Sequence, residues 1–462
     1  FIIECLDMTK KQRHWQDLDS SHYLHPFTDH GQLSKKGSRV FTKGKGIYIW
    51  DTEGHQILDS MSGLWCVNLG YGRTELIEAA HQQMQELPYY NSFFQCAHPP
   101  AIELGEILSN ISPDGFSRVF YTGSGSEAND TVIRMVRRFW QLQDKPEKQI
   151  IIARKNAYHG STIAAASLGG MEGMHAQGAG IPIPNIIHIA QPYWFQEGRD
   201  QDPNTFGLAI AEELEKAIHH HGIDKIAAFI AEPIQGAGGV IIPPETYWPE
   251  IQRICDDNEI LLVADEVITG FGRLGEWFGS TTYEIKPDLI PFAKGVTSGY
   301  LPLGGVLVND KVADILIEKG GEFIHGFTYS GHPVSCAVAI ANIKALAEDN
   351  VIETVKDHTA PYLAKRWQSL SDHPIVGEAR IKGLVAALEL CKDKKTGKRF
   401  PAEHNVGSLC RDLAIENGLV MRAVGDTMII APPLIITHEQ IDELIAKAIS
   451  TLDATAAAVK TT

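Results

Sequence analysis

The middle of the chain alternates short apolar runs with longer amphipathic stretches. Val119–Tyr121, Gln149–Ala153, Ile226–Ala231, Ile260–Ala264 and Leu289–Ala293 have the length and flanks of buried strands. Glu127–Gln143 follows another period, with Ala128, Val132, Met135, Val136 and Phe139 recurring at the spacing of one buried helical face. Strands apolar on both faces and separated by helices predict an α/β fold, a mostly parallel central sheet covered by helices. Beyond residue 335 the character changes. A helix over Ala337–Glu348 precedes GEARIKGLVAALEL and GLVMRAVGDTMIIAPPLII, with helices between them. That pattern predicts a smaller α+β domain over 336–462, joined by residues 1–60, where GIYIWDTEGHQILD reads as a hairpin. The large domain is then expected over 61–335.

Composition narrows the function classes. The 462 residues carry 41 Lys and Arg against 57 Asp and Glu, a net charge of −16. Such a chain lacks the dense cationic face that a nucleic-acid backbone requires. With 21% charged and 44% hydrophobic residues it is neither disordered nor fibrous. No run approaches the length of a membrane span, and FIIECLDMTKKQ lacks the basic region and long apolar run of a secretion signal. Met8 reads as a natural start, with the first seven residues as upstream sequence. Seven cysteines, scattered, odd in number and never spaced CxxC, fit reduced thiols in a cytoplasm rather than disulfides or a zinc site. His219, His220 and His221 are adjacent, so on a helix they diverge; they read as a solvated helix end before Gly222.

Ligands of an open parallel sheet bind beyond the carboxyl ends of its strands. After Val119–Tyr121 comes TGSGSEAND, where the N–H groups of Gly125 and Ser126 stand at a helix N-terminus, ready to cradle a phosphate. The same residues also make an ordinary capping box from Ser124 to Glu127. A third reading is the dinucleotide fingerprint Gly123-x-Gly125-x-x-Ala128, with Arg154 on a ribose phosphate. Two other strand ends separate these readings. ILLVA delivers Asp265 and LIPFA delivers Lys294, each behind apolar residues. A buried carboxylate is costly unless paired, and a lysine in a dry position loses basicity and gains nucleophilicity. Taken alone the two could form a plain salt bridge. With a phosphate cradle they are the three fixtures of pyridoxal phosphate: a lysine for the Schiff base, an aspartate for the ring nitrogen and an anion site.

LLVADEVITGFGRLGEWFG and AKGVTSGYLPLGG resemble, in order and spacing, the signature of the fold-type I, class III pyridoxal-phosphate aminotransferases of the ω-amine:pyruvate group. The resemblance runs from about Trp15 to about Ala457. Within the group, GLWCVNLGYGR, AEPIQGAGGVI and MRAVGDTMIIAPPL are most similar to polyamine:pyruvate aminotransferases. The resemblance implies Lys294 and Asp265 as catalytic residues, and Gly125 and Ser126 as the phosphate turn. It implies Tyr158 stacked on the cofactor ring with His159 beside it, Val267 on the opposite face, and Glu232 among the cofactor-binding residues. Phe327 and Thr328 in HGFTYSGHP match a segment reaching the phosphate of a neighbouring subunit. That implies a homodimer with shared sites and leaves a tetramer open. Trp65, Tyr90 and Phe93 match an aromatic substrate pocket, although by residue type alone they read as core.

Arg422 matches a mobile arginine that binds the keto-acid carboxylate. Relatives acting on ornithine or γ-aminobutyrate place a glutamate two residues after their glutamine; here Ala237 follows Gln235. Gly173 stands where some relatives carry a bulky aromatic, which implies a longer donor channel. The implied reaction is ping-pong transfer from putrescine, cadaverine or spermidine to pyruvate, giving an aldehyde and L-alanine, with Lys294 as nucleophile and proton shuttle. An ω-amino acid donor such as β-alanine or taurine is the alternative. Another fold-type I pyridoxal enzyme and a nicotinamide-dependent dehydrogenase are the remoter ones.

Overall fold

The computed structural model describes residues 2–460, with side chains from residue 12 to residue 459. The expectations about residues 1–7 and Cys5 lie outside those side chains. At the centre is a seven-stranded sheet. Its order is Phe116–Thr122, Gly304–Asn309, Leu289–Phe292, Leu261–Ala264, Ile226–Ala231, Ile150–Arg154 and Ile186–Ile189. All five apolar runs form strands, Ile226–Ala231 with the expected bounds and the others with ends moved by at most three residues. Two further strands lie outside them. Ile186–Ile189 is a half-exposed edge, and Gly304–Asn309 opens on two glycines behind Pro302, a combination that hides its β character. Gly304–Asn309 runs antiparallel to both neighbours, while the five strands from Leu289–Phe292 to Ile186–Ile189 are parallel.

Period two along the central strands feeds two separate cores. Ala228 and Ile230 pack with Ala128, Val132 and Val136 of the helix Gly125–Leu142. Phe229 and Ala231 pack with Trp248, Ile251 and Ile254 of the helix Tyr247–Asp257. Every residue of Ile226–Ala231 and Leu261–Ala264 is buried, which is why these strands are uniformly apolar.

The ends of the chain meet. The hairpin Tyr48–Asp51 and Gln56–Asp59 continues into a parallel pairing of Gln56–Asp59 with Leu419–Val420. A separate antiparallel sheet joins Val376–Lys382, Val385–Leu390, Thr427–Ile430 and Arg422–Val424. That pairing supports a division, proposed here, of 1–60 with 336–462 against 61–335. The helix expected from Ala337 begins four residues earlier, at Pro333, with His332 as its cap. His219 and His220 are exposed at the end of the helix Pro203–His221, before Gly222. Among the described residues no helix is long and apolar enough to cross a membrane.

Arg273 fastens the central loops to both chain ends. Its buried guanidinium donates to Asn68 Oδ1 at 2.8 Å and Ser62 Oγ at 3.3 Å, and to the carbonyls of Pro432 and Leu384. Burial without a carboxylate partner lowers its pKa to about 10. Arg273→Ala strands buried acceptors and opens a cavity, so it should cost about 3 kcal/mol or more of unfolding free energy. Denaturant titration measures this; a loss below about 1 kcal/mol would mean that these acceptors find other donors.

Candidate active site

The ends of five strands open on one cavity lined by Gly125, Ser126, Tyr158, His159, Gly160, Glu232, Asp265, Val267, Ile268, Ala293 and Lys294. At its phosphate end the capping box and the cradle coexist. Ser124 Oγ accepts from Glu127 N at 3.2 Å, and Glu127 Oε2 accepts from Gly123 N at 2.6 Å. The cap uses those donors, while the N–H groups of Gly125 and Ser126 lie in the first turn, where no intrahelical acceptor exists. A Cβ at Gly125 would stand 3.0 Å from both γ carbons of Val267, closing the gap between the two. The loop Tyr158–Ser161 is laced to this turn, with Ser161 N donating to Ser126 Oγ at 3.1 Å. Gly160 (φ +140°) lets the loop come that close, since a Cβ there would meet Ser126 Oγ at 2.6 Å.

The plain Asp265–Lys294 salt bridge is not what forms. Asp265 is buried and paired with His159, Nδ1 to Oδ2 at 2.6 Å. Asn129 Nδ2 donates to the same oxygen at 2.9 Å, and Val267 N donates to Oδ1 at 3.1 Å. Lys294 has no ion pair among the described residues. Burial pushes its ammonium below the ordinary lysine range, and the acidic groups Cys66, Asp265 and Glu232 offset only part of that. Its backbone lies at φ +47°, a left-handed conformation costing a non-glycine residue about 1–3 kcal/mol. The following turn holds it there: Asn342 Nδ2 donates to the carbonyls of Gly295 and Val296 at 2.9 and 3.0 Å, and Ser298 Oγ donates to Asn342 Oδ1 at 2.5 Å.

Glu232 is buried, accepting from Tyr158 N at 3.1 Å and Gly236 N at 2.9 Å, and burial raises its pKa. Arg154 does not reach the cavity. It is fully buried against Tyr247 and Trp248 and donates to the Glu232 carbonyl. The dinucleotide reading therefore loses its second fixture, because a side chain ending that strand can turn into the core behind the sheet.

Arg422 lies on the short strand Arg422–Val424, and among the described residues its guanidinium has no hydrogen-bond or ion-pair partner. Burial lowers its pKa, the Tyr158 hydroxyl opposes that, and its charge acts on Lys294, although it does not itself line the cavity. Trp65 is buried behind Ile268. Tyr90 and Phe93 are not core: Tyr90 is 51% exposed, and Phe93 lies against Gly326. Tyr89 OH donates to the Thr328 carbonyl at 2.7 Å and Ser92 Oγ to the Ser330 carbonyl at 3.1 Å, which ties the 89–93 segment to the 326–331 segment; Tyr90, Phe93, Phe327 and Thr328 do not line the cavity. Gly173 is exposed in the helix Glu172–Ala176; a Cβ there would meet nothing within 4 Å, its φ is not positive, and it does not line the cavity.

Sequence reasoning missed Gly160, Ile268 and Ala293 in the lining, and Asn129 behind it. Asn129 had a signal. It is a polar residue beside Ala128 and Val132 on the buried face of its helix, where an amide needs partners.

The comparisons agree with this geometry. The family model for "Aminotransferase class-III" matches residues 32–452. A putrescine–pyruvate aminotransferase of Pseudomonas aeruginosa is 61% identical over 97% of this chain and 98% of its own length. A vanillin aminotransferase of Capsicum frutescens is 41% identical over 91% of this chain and 92% of its own. A crystal structure of an (S)-enantioselective ω-transaminase from Thermomicrobium roseum superposes with a TM-score of 0.92 at 41% identity, covering 96% of this chain and 98% of that one. With a carboxylate, a lysine and an anion cradle around one cavity, and a family match over most of its length, the chain belongs to the pyridoxal-phosphate-dependent class III aminotransferases.

Proposed function

We propose that this enzyme transfers the amino group of a linear polyamine, putrescine above all, to pyruvate. The chemistry is carried by the meeting of Asp265 and Lys294 across one cavity. The substrate pair is supported by the 61%-identical relative named for putrescine and pyruvate. Bound pyridoxal phosphate supplies an aldehyde for amines and a ring that withdraws electrons from the bond being broken. The N–H groups of Gly125 and Ser126 hold its phosphate, and Tyr158 and Val267 flank its ring. Glu232 and His159 fix the loop and the carboxylate around it. Asp265, held in place by its donors, would keep a proton on the ring nitrogen of the bound cofactor. Lys294 anchors the cofactor, then takes the proton from the carbon beside the donor nitrogen and returns it one position along. Its lowered basicity leaves more of the free amine at neutral pH.

Arg422 receives the carboxylate of pyruvate, a role supported by a guanidinium whose charge acts on Lys294 and which has no acid partner among the described residues. Trp65 backs the donor pocket through its packing with Ile268. Phe327, Thr328, Tyr90 and Phe93 serve the neighbouring subunit's site in a homodimer; their absence from the lining of the cavity that holds Lys294 supports this. The scattered cysteines support a cytoplasmic enzyme.

The substrate reading is tested with putrescine, cadaverine, spermidine, β-alanine, taurine and 1-phenylethylamine, each with pyruvate, following alanine. Putrescine should give the highest kcat/KM, and Lys294→Ala should give no turnover with any donor. Faster reaction with β-alanine or taurine would replace the polyamine reading by the ω-amino acid one.

Arg422→Ala should separate the two halves of the reaction. Putrescine has no carboxylate, so single-turnover transfer from it should change little. Transfer to pyruvate loses a charge-assisted contact of about 1.5–3 kcal/mol, which is roughly ten- to hundredfold. Equal damage to both halves would remove Arg422 from the acceptor site.

A further inference from the structure

Asn129 takes no part in the chemistry above, yet it holds the centre of the site. It is 1% exposed on the helix Gly125–Leu142, three residues after Ser126. Its Nδ2 donates to the His159 carbonyl at 2.7 Å and to Asp265 Oδ2 at 2.9 Å. Both neighbours are acceptors, which fixes the amide with its nitrogen towards them. His159 Nδ1 reaches the same Oδ2 at 2.6 Å, whereas Oδ1 takes only the Val267 N–H. One carboxylate oxygen is thus filled twice, and the other keeps a lone pair.

We propose that Asn129 is a positioning residue for Asp265: by tying Oδ2 to the His159 segment it fixes the carboxylate's orientation and reserves Oδ1 for the cofactor's ring N–H. This inference rests on the reading that Asp265 serves the ring nitrogen. The charged groups facing Asp265 are His159 from the loop after Ile150–Arg154, Glu232 at the end of Ile226–Ala231, and Lys294 after Leu289–Phe292. Among the described residues Asn129 is the neutral side chain that donates to this carboxylate. Its removal therefore changes the proton affinity of Asp265 without changing the charge of the site.

The test measures pyridoxal phosphate affinity against pH, by quenching of tryptophan fluorescence in the apoprotein. Binding should weaken on the acid side as Asp265 takes up a proton. Asn129→Ala should move that acid limb upward by about one pH unit, a tenfold gain in proton affinity. Asn129→Ser keeps one donor and should move it less, and it decides the matter alone if the alanine variant does not fold. An unmoved limb, or an affinity lowered equally at every pH together with a lower Tm, would reduce Asn129 to packing and overturn the inference. A wild-type curve without an acid limb would overturn both this inference and the role of Asp265.

Discussion

A carboxylate buried at the end of a β-strand is the constraint on which the site depends. Removing a charge from water costs several kcal/mol unless partners replace its hydration. Asp265 recovers that cost from His159, Asn129 and the Val267 N–H. These partners come from a loop, a helix and the strand's own continuation. Satisfying one carboxylate therefore brings together the segments that carry Gly125 and Ser126 on one side of the cavity and Tyr158 on another. Asn129 and Ser126 share a helix, so the carboxylate and the anion cradle are set at a fixed separation by 3.6-residue geometry.

Lys294 is governed by a different device. It is held in a left-handed backbone conformation by a turn braced through Asn342 and Ser298. Among the described residues its amine carries no ion pair, so burial, only partly offset by Cys66, Asp265 and Glu232, lowers its pKa. Had Asp265 paired with Lys294, the amine would have been kept charged and unreactive. The pairing of Asp265 with His159 leaves the lysine free to act as a nucleophile, so the choice of partner separates two oppositely charged groups that share one cavity.

The central sheet and the positions of Asp265 and Lys294 were legible because periodicity and the end of an apolar run are local signals. Gly304–Asn309 was not, since two glycines and a neighbouring proline mask a strand that tertiary packing imposes. Arg154 reads equally well as a phosphate ligand or a core residue, and only the fold behind the sheet, with Tyr247 and Trp248, decides between them. Tyr90 and Phe93 look like core by residue type, yet they sit on an exposed face beside the 326–331 segment. Their surroundings are set by the fold of the 326–331 segment, which lies more than two hundred residues away in sequence.

The most direct measurement is the amine half-reaction of Asp265→Asn, followed by single-turnover spectroscopy with putrescine. The amide keeps the shape of the carboxylate but cannot stabilise a protonated ring nitrogen. The expected protein binds cofactor and stays yellow while its half-reaction slows at least roughly ten- to hundredfold, the equivalent of about 1.5–3 kcal/mol for a lost charge-assisted bond. A rate within about twofold of the wild type, below 0.5 kcal/mol, would make Asp265 a structural partner of His159 and contradict its role in the chemistry.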